Sequence, residues 1–256
     1  MSLLDEILAS TARRLDEART KVTDDVLEQR VASAEAPRGF RRALVREPMA
    51  VIAEIKRRSP SKGDLAIDLD PRKVAAAYRA GGAAALSVLT EPDHFSGSLD
   101  DLAGAREAGL PVLRKDFLID PWQIFESRAE GADCVLLIAR VVGDGLAGLT
   151  NLARSLGMDA LVEVYDEADV ERALDVGADL VGINHRDLST FEVDVNRTAK
   201  LAPMLPDGVV VVALSGVSTR SEVTGLADAG AHAVLVGESL VTSDDPAAAL
   251  RALRGQ

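Results

Sequence analysis

Short apolar runs alternate along this chain with stretches of helical spacing, and one phrase joins them repeatedly. Ala80-Gly81-Gly82-Ala83-Ala84-Ala85-Leu86-Ser87-Val88 is echoed by Glu130-Gly131-Ala132-Asp133-Cys134-Val135-Leu136. Val176-Gly177-Ala178-Asp179-Leu180-Val181-Gly182-Ile183 and Ala229-Gly230-Ala231-His232-Ala233-Val234-Leu235-Val236 repeat it again. Each copy reads as a helix end, a glycine that stops the helix in left-handed geometry, and a short buried strand. The preceding segments space Val170, Ala173 and Leu174, and likewise Val223, Leu226 and Ala227, on one helical face. Ser98 with Asp101, and Thr219 with Glu222, have the spacing of capping boxes.

Strands are predicted to begin near Ala50, Ala84, Val112, Asp133, Ala160, Leu180, Val209 and Ala233. Starts about 20 to 35 residues apart suit repeated strand–helix units, and apolar strands between amphipathic helices indicate a parallel sheet. No Gly-x-Gly-x-x-Gly follows a strand, so a closed (β/α)8 TIM barrel is favoured over an open doubly wound sheet. Residues 1–256 are read as one barrel domain. Residues 1–48, with Leu4, Ile7, Leu8 and Leu15 at helical spacing, are read as added helices packed on it, not as a targeting peptide.

Polar residues collect where these strands end, the chemical face of such a barrel. Glu54 and Lys56 are two apart and share one side of strand one, which runs into Ser59 and Ser61. Strand two leads to Phe95, strand three to Lys115 and Phe117, and Glu163 lies inside apolar strand five. Strand six ends Asn184-His185-Arg186-Asp187-Leu188. Charges inside strands are costly unless paired or used. A structural ion-pair network explains Glu54 and Arg186 nearly as well as function does, whereas function is favoured for Lys56, Lys115 and Glu163. Ser215-Gly216 and Gly237-Glu238-Ser239, after strands seven and eight, suit backbone binding of phosphate.

Composition narrows this picture. The 256 residues are 47% hydrophobic but only 3% aromatic, so the core is aliphatic. The formal net charge of −12 argues against nucleic acid or an anionic membrane as partner. Three of only six lysines (Lys56, Lys62, Lys115) fall at strand ends or in the loops after them, arranged to hold an anion. Cys134, the single cysteine, fits a buried core position in a reducing cytoplasm. His94, His185 and His232 lack metal-ligand spacing, and the first two are taken as loop residues without a clear partner. Trp122, after Asp120-Pro121, reads as a packing residue at a helix start. Asp116 and Asp187 read equally as loop caps or ligand contacts.

Three segments carry a specific resemblance: Ile52-Ala53-Glu54-Ile55-Lys56-Arg57-Arg58-Ser59-Pro60-Ser61, Leu113-Arg114-Lys115-Asp116-Phe117 and Gly182-Ile183-Asn184-His185-Arg186-Asp187-Leu188. With the rest of the chain they resemble the indole-3-glycerol-phosphate synthases of tryptophan biosynthesis. That resemblance implies ring closure of 1-(2-carboxyphenylamino)-1-deoxyribulose 5-phosphate with loss of CO2 and water. Lys115 would be the general acid, its pKa lowered by neighbouring cations and desolvation, and Lys56 would neutralise the substrate and share in proton transfer. Glu163 would be the base, with Glu54 and Asn184 orienting the lysines and the substrate hydroxyls. Phe95, Phe117 and Leu188 match contacts to the anthranilate ring. Ser59, Ser61, Arg186 and Ser215 match substrate-binding positions, and Gly216, Gly237, Glu238 and Ser239 the phosphate site. The resemblance implies neither metal nor organic cofactor, and a small phosphorylated substrate. Short loops and an acidic surface suit a monomer, although fusions and partnerships with other tryptophan enzymes occur in the family.

Two positions depart, Leu214 and, more mildly, His185, where the family often has a polar amide or a small residue. The family usually reads Glu-Ser-Gly after strand seven, where this chain has Leu214-Ser215-Gly216. Reduced but retained synthase activity is expected, or an altered substrate. Two rivals stay open: a related phosphosugar isomerase, and a catalytically impaired relative that only binds the ligand.

Overall fold

The computed structural model describes residues 2–46, 49–187 and 192–256. Eight strands close into a barrel: β1 (Ala50–Ile55), β2 (Ala85–Leu89), β3 (Val112–Lys115), β4 (Cys134–Ile138), β5 (Asp159–Val164), β6 (Leu180–Asn184), β7 (Val210–Leu214) and β8 (Ala233–Val236). Each pairs in parallel with its sequence neighbours, and β8 closes on β1. Every predicted strand start falls within one residue of the observed one. The repeated glycines Gly82, Gly131, Gly177 and Gly230 all have left-handed backbones, as the repeat requires.

Three helices precede the barrel: α1 (Leu3–Lys21), α2 (Asp24–Ser33) and α3 (Phe40–Leu44). The outer ring comprises α4 (Pro71–Gly81), α5 (Pro92–Phe95), α6 (Asp100–Arg106), α7 (Pro121–Ala129), α8 (Ala139–Val142), α9 (Leu146–Ser155) and α10 (Glu167–Asp175). It continues with α11 (Arg197–Leu201), α12 (Arg220–Asp228), α13 (Glu238–Val241) and α14 (Pro246–Arg254).

Strand alternation sorts the core into inside and outside. Ile52, Leu113, Leu136, Leu161, Leu180, Val212 and Leu235 fill the barrel interior, while Val51, Ala53, Val135, Val162 and Val234 pack outward under the helices. Phe40 and Leu44 of α3 join the interior cluster and plug its lower end. Cys134 is buried inside, and burial pushes its thiol well above the usual range. Ile7 and Leu15 of α1 are buried, and Trp122 packs against Leu15 and Leu27, in line with a packing role.

The Thr219–Glu222 capping box forms at α12. The one expected at Ser98 and Asp101 does not. α6 begins at Asp100, and the Asp101 carboxylate is drawn into an ion pair with Arg57, which the local spacing does not reveal.

Candidate active site

The inward register that fills the barrel with leucine delivers a polar layer at its upper end. Glu54, Lys115, Glu163 and Asn184 lie on the inward positions of β1, β3, β5 and β6, with Lys56 just beyond β1. They line one cavity of about 380 Å3, within the range of small-molecule sites. Ser59, Ser61, Phe95, Phe117, Arg186, Ser215, Gly216, Gly237, Glu238 and Ser239 line the same cavity, so all the described candidates converge. Leu188 lies outside the described residues.

The two buried carboxylates are treated oppositely. Lys56 Nζ lies 2.7 Å from Glu54 Oε1. Burial pushes Glu54 up, but Lys56, Lys115 and Arg186 together outweigh it and hold the carboxyl below the usual range. At Glu163, burial is only partly offset by Lys115, the Asn184 hydrogen bond and Arg140, so its carboxyl sits above the usual range. Asn184 Nδ2 donates to Glu163 Oε1 at 2.9 Å. Asn184 Oδ1 accepts from Arg186 N and from Ser215 Oγ, both at 3.0 Å. Lys115 faces both carboxylates yet is within 4.0 Å ion-pairing distance of neither among the described residues. A lysine facing two carboxylates whose surroundings push their proton affinities in opposite directions is placed for proton transfer.

An apolar wall and a wall of glycine turns flank this layer. The Phe95 and Phe117 rings lie 6.4 Å apart at 36°, a spacing suited to an aromatic face. Ser215 and Gly216 both have left-handed backbones after β7. Gly237 follows β8, where a Cβ would lie 2.4 Å from Glu54 Oε1, so only glycine lets the acid and the turn coexist. Among the described residues Ser239 Oγ is buried without a hydrogen-bond partner, and Ser239 lines the cavity beside the glycine turn. Ser59 is buried and Ser61 exposed at the rim.

The structure gives partners to residues that the sequence left open. Asp116 is an internal brace, accepting from Thr90 Oγ1 at 2.6 Å and pairing with Arg114 at 3.0 Å. Asp187 hydrogen-bonds Tyr165, the first cause of that phenol's upward shift, ahead of burial. His185 is not a loop residue without a partner. It is fully buried, with Nδ1 3.0 Å from Ser215 O and Nε2 2.7 Å from Thr198 Oγ1. Nothing in the local sequence signals partners 13 and 30 positions away. Leu214 is 1% exposed and fills the mouth beside Gly182, where the resemblance leads one to expect a carboxylate. Among the described residues, no group of His, Cys, Asp and Glu is arranged to hold a metal ion.

Fold and mouth together define a TIM barrel with acid–base side chains gathered at its strand ends, the arrangement of an enzyme of this fold. The profile described as Indole-3-glycerol phosphate synthase matches residues 4–253, and the chain belongs to that family. It is 49% identical to the indole-3-glycerol phosphate synthase of Rhodococcus jostii (strain RHA1), over 96% of this chain and 92% of that protein. It is 50% identical to that of Parafrankia sp. (strain EAN1pec), over 96% and 92% of the two chains. Among solved structures it resembles the N-acetylmannosamine-6-phosphate 2-epimerase from Clostridium perfringens, with TM-score 0.62 and 17% identity over 77% of this chain and 90% of that one. That likeness concerns the fold alone.

Proposed function

We propose that the chain is an indole-3-glycerol-phosphate synthase, closing the indole ring of 1-(2-carboxyphenylamino)-1-deoxyribulose 5-phosphate with release of CO2 and water. The observation that carries this reading is the convergence in one cavity of Lys56, Lys115, Glu54, Glu163 and Asn184 beside two phenyl rings.

In this reading the phosphate binds the backbone N–H groups around Gly216, Gly237, Glu238 and Ser239, with Ser239 Oγ adding a donor. Phe95 and Phe117 hold the anthranilate ring, and Ser59, Ser61 and Arg186 hold its polar groups. Lys56 neutralises the substrate carboxylate while remaining paired with Glu54. Lys115 protonates the ketone oxygen as the ring carbon that bears the carboxylate attacks, forming the new C–C bond. CO2 then leaves that carbon, and its bonding electrons restore the aromatic ring. Glu163, held by Asn184, takes the proton from the carbon next to nitrogen while Lys56, sharing in proton transfer, protonates the hydroxyl, which departs as water and closes the pyrrole double bond. Each role matches a residue type suited to it: a cation near developing oxyanion charge, and a carboxylate that burial makes a stronger base than an exposed one.

Leu214 favours a second reading, an impaired relative that binds this ligand and turns it over weakly or not at all. One experiment separates the two: indole fluorescence on adding the carboxyphenylamino-deoxyribulose phosphate to the parent and to Lys115→Ala. The synthase predicts growth in the parent and a fall of about 10²–10⁴-fold in the variant, the usual contribution of a general acid. Equal rates would remove the acid role from Lys115. Binding without turnover in the parent would favour the impaired relative.

The chain is further proposed to act as a cytoplasmic monomer on a small molecule, with one folding unit that includes residues 1–48. An acidic surface with net charge −12 supports the absence of a nucleic-acid role. None of the described helices is long and apolar enough to cross a membrane.

A further inference from the structure

Behind the catalytic layer, the residue after Asn184 has every polar atom engaged. His185 N–H donates to Leu214 O at 3.0 Å, and its carbonyl accepts from Asp194 N at 2.9 Å and Arg197 Nη1 at 2.7 Å. A carbonyl oxygen only accepts, so the contact with Ser215 O puts the imidazole proton on Nδ1, and Nε2 then accepts from the Thr198 hydroxyl. Burial, reinforced by Arg197 and opposed by the Ser215 bond and Asp194, keeps this ring below its usual pKa and neutral.

The bond to Ser215 falls on a strained point of the chain. Ser215 has φ +69°, a left-handed conformation that is strained for a non-glycine residue. That conformation turns the Ser215 carbonyl to His185 and its hydroxyl to Asn184 Oδ1. The Arg186 N–H also points at Oδ1 and can only donate, which fixes the orientation of the amide. The Asn184 NH2 therefore faces Glu163.

We propose that His185 is a positioning residue of the reaction: its Nδ1–H holds the strained Ser215 peptide, and through Ser215 and Asn184 it sets the carboxylate of Glu163. The assignment rests on the synthase reading. Outer partners of this kind shape reactivity without touching substrate, and small misplacements are costly.

The test compares His185→Asn with His185→Gln. Asparagine places an N–H near the Nδ1 position, within reach of Ser215 O. Glutamine extends toward Thr198 instead and gives up that bond. Expected for Asn is a kcat within about threefold of the parent. Expected for Gln is a kcat about tenfold lower with KM little changed, as befits misplacement of a reacting group. The acidic limb of the Gln profile should also move to higher pH, because Glu163 loses a donor while Lys115, Arg140 and Asp169 still face it. Equal kcat in the two variants would overturn the proposal, as would a glutamine variant altered only in melting temperature or KM. If glutamine fails to fold, Thr198→Val decides. It spares the Ser215 bond and should keep parental kcat and acidic limb, whereas a tenfold loss there would make the site a packing feature. A parent that forms no indole would defeat the synthase reading and this assignment with it, whereas equal kcat in the two variants of an active parent would defeat the assignment alone.

Discussion

The two ends of the barrel both bury charge, and they treat it differently. At the lower end Asp133 is fully buried and saturated. Its carboxylate accepts from Arg38 N at 2.8 Å, Val112 N at 2.7 Å and Arg106 Nη1 at 3.0 Å. Nearby, Asp159 accepts from Arg41 N at 2.8 Å, and the Arg41 guanidinium reaches the carbonyls of Asp179 and Gly208. These bonds stitch the segment leading into α3 to the starts of β3, β4 and β5, beneath the Phe40 plug. At the mouth, Asn184 is the side-chain donor to Glu163, and Lys115 stands between two carboxylates without pairing closely with either. Saturated charge fixes a structure, whereas undersatisfied buried charge is kept for chemistry and costs stability.

Substitutions at each end can break or sharpen this contrast. The largest effect is expected from Glu163→Gln, which preserves an acceptor for Asn184 but removes the base. Indole formation should fall about 10²–10⁴-fold with the fold intact, and near-parental turnover would take the base role from Glu163. Next comes Asp133→Ala, which takes the buried partner from Arg106, leaving it the exposed Glu35, and strands two backbone N–H groups. It should lower unfolding free energy by about 3–5 kcal/mol in urea titrations, with kcat per folded molecule unchanged. Parental stability there would mean that the lower end is not a structural clamp. Smallest is Leu214→Glu, which adds a carboxylate to the mouth among leucines. Turnover is expected to rise about tenfold while melting temperature falls, because the new charge is buried. Unchanged turnover would mark that carboxylate as dispensable.

Much of this was legible in the sequence because it is local. The glycine phrase before Cys134, Leu180 and Ala233 writes helix end and strand start within a few residues, so the barrel could be read directly. Two-residue alternation likewise brought Glu54 and Lys56 to one face. What escaped is the bonding between distant segments. Asp101 was taken from its expected cap by Arg57, 44 positions away, and Asp133 is held by Arg38, 95 positions away. His185 sits in the same motif as Asn184, yet its partners belong to α11 and to the turn after β7. Residue type and spacing say where a charge lies along a strand. Only the packed barrel says whether that charge is satisfied.

The most direct measurement is the melting temperature of the parent and of Glu163→Gln across pH 4–8. A carboxyl whose native pKa is raised binds its proton more tightly when folded than unfolded. The parent therefore loses stability as pH rises from the unfolded carboxyl's value, about 4.5, through the native one. Glutamine has no such loss. The account predicts that Glu163→Gln melts above the parent at neutral pH, with the advantage shrinking as the pH falls toward 4. A variant that melts below the parent at neutral pH would contradict the account, since Glu163 would then be a satisfied structural charge like Asp133.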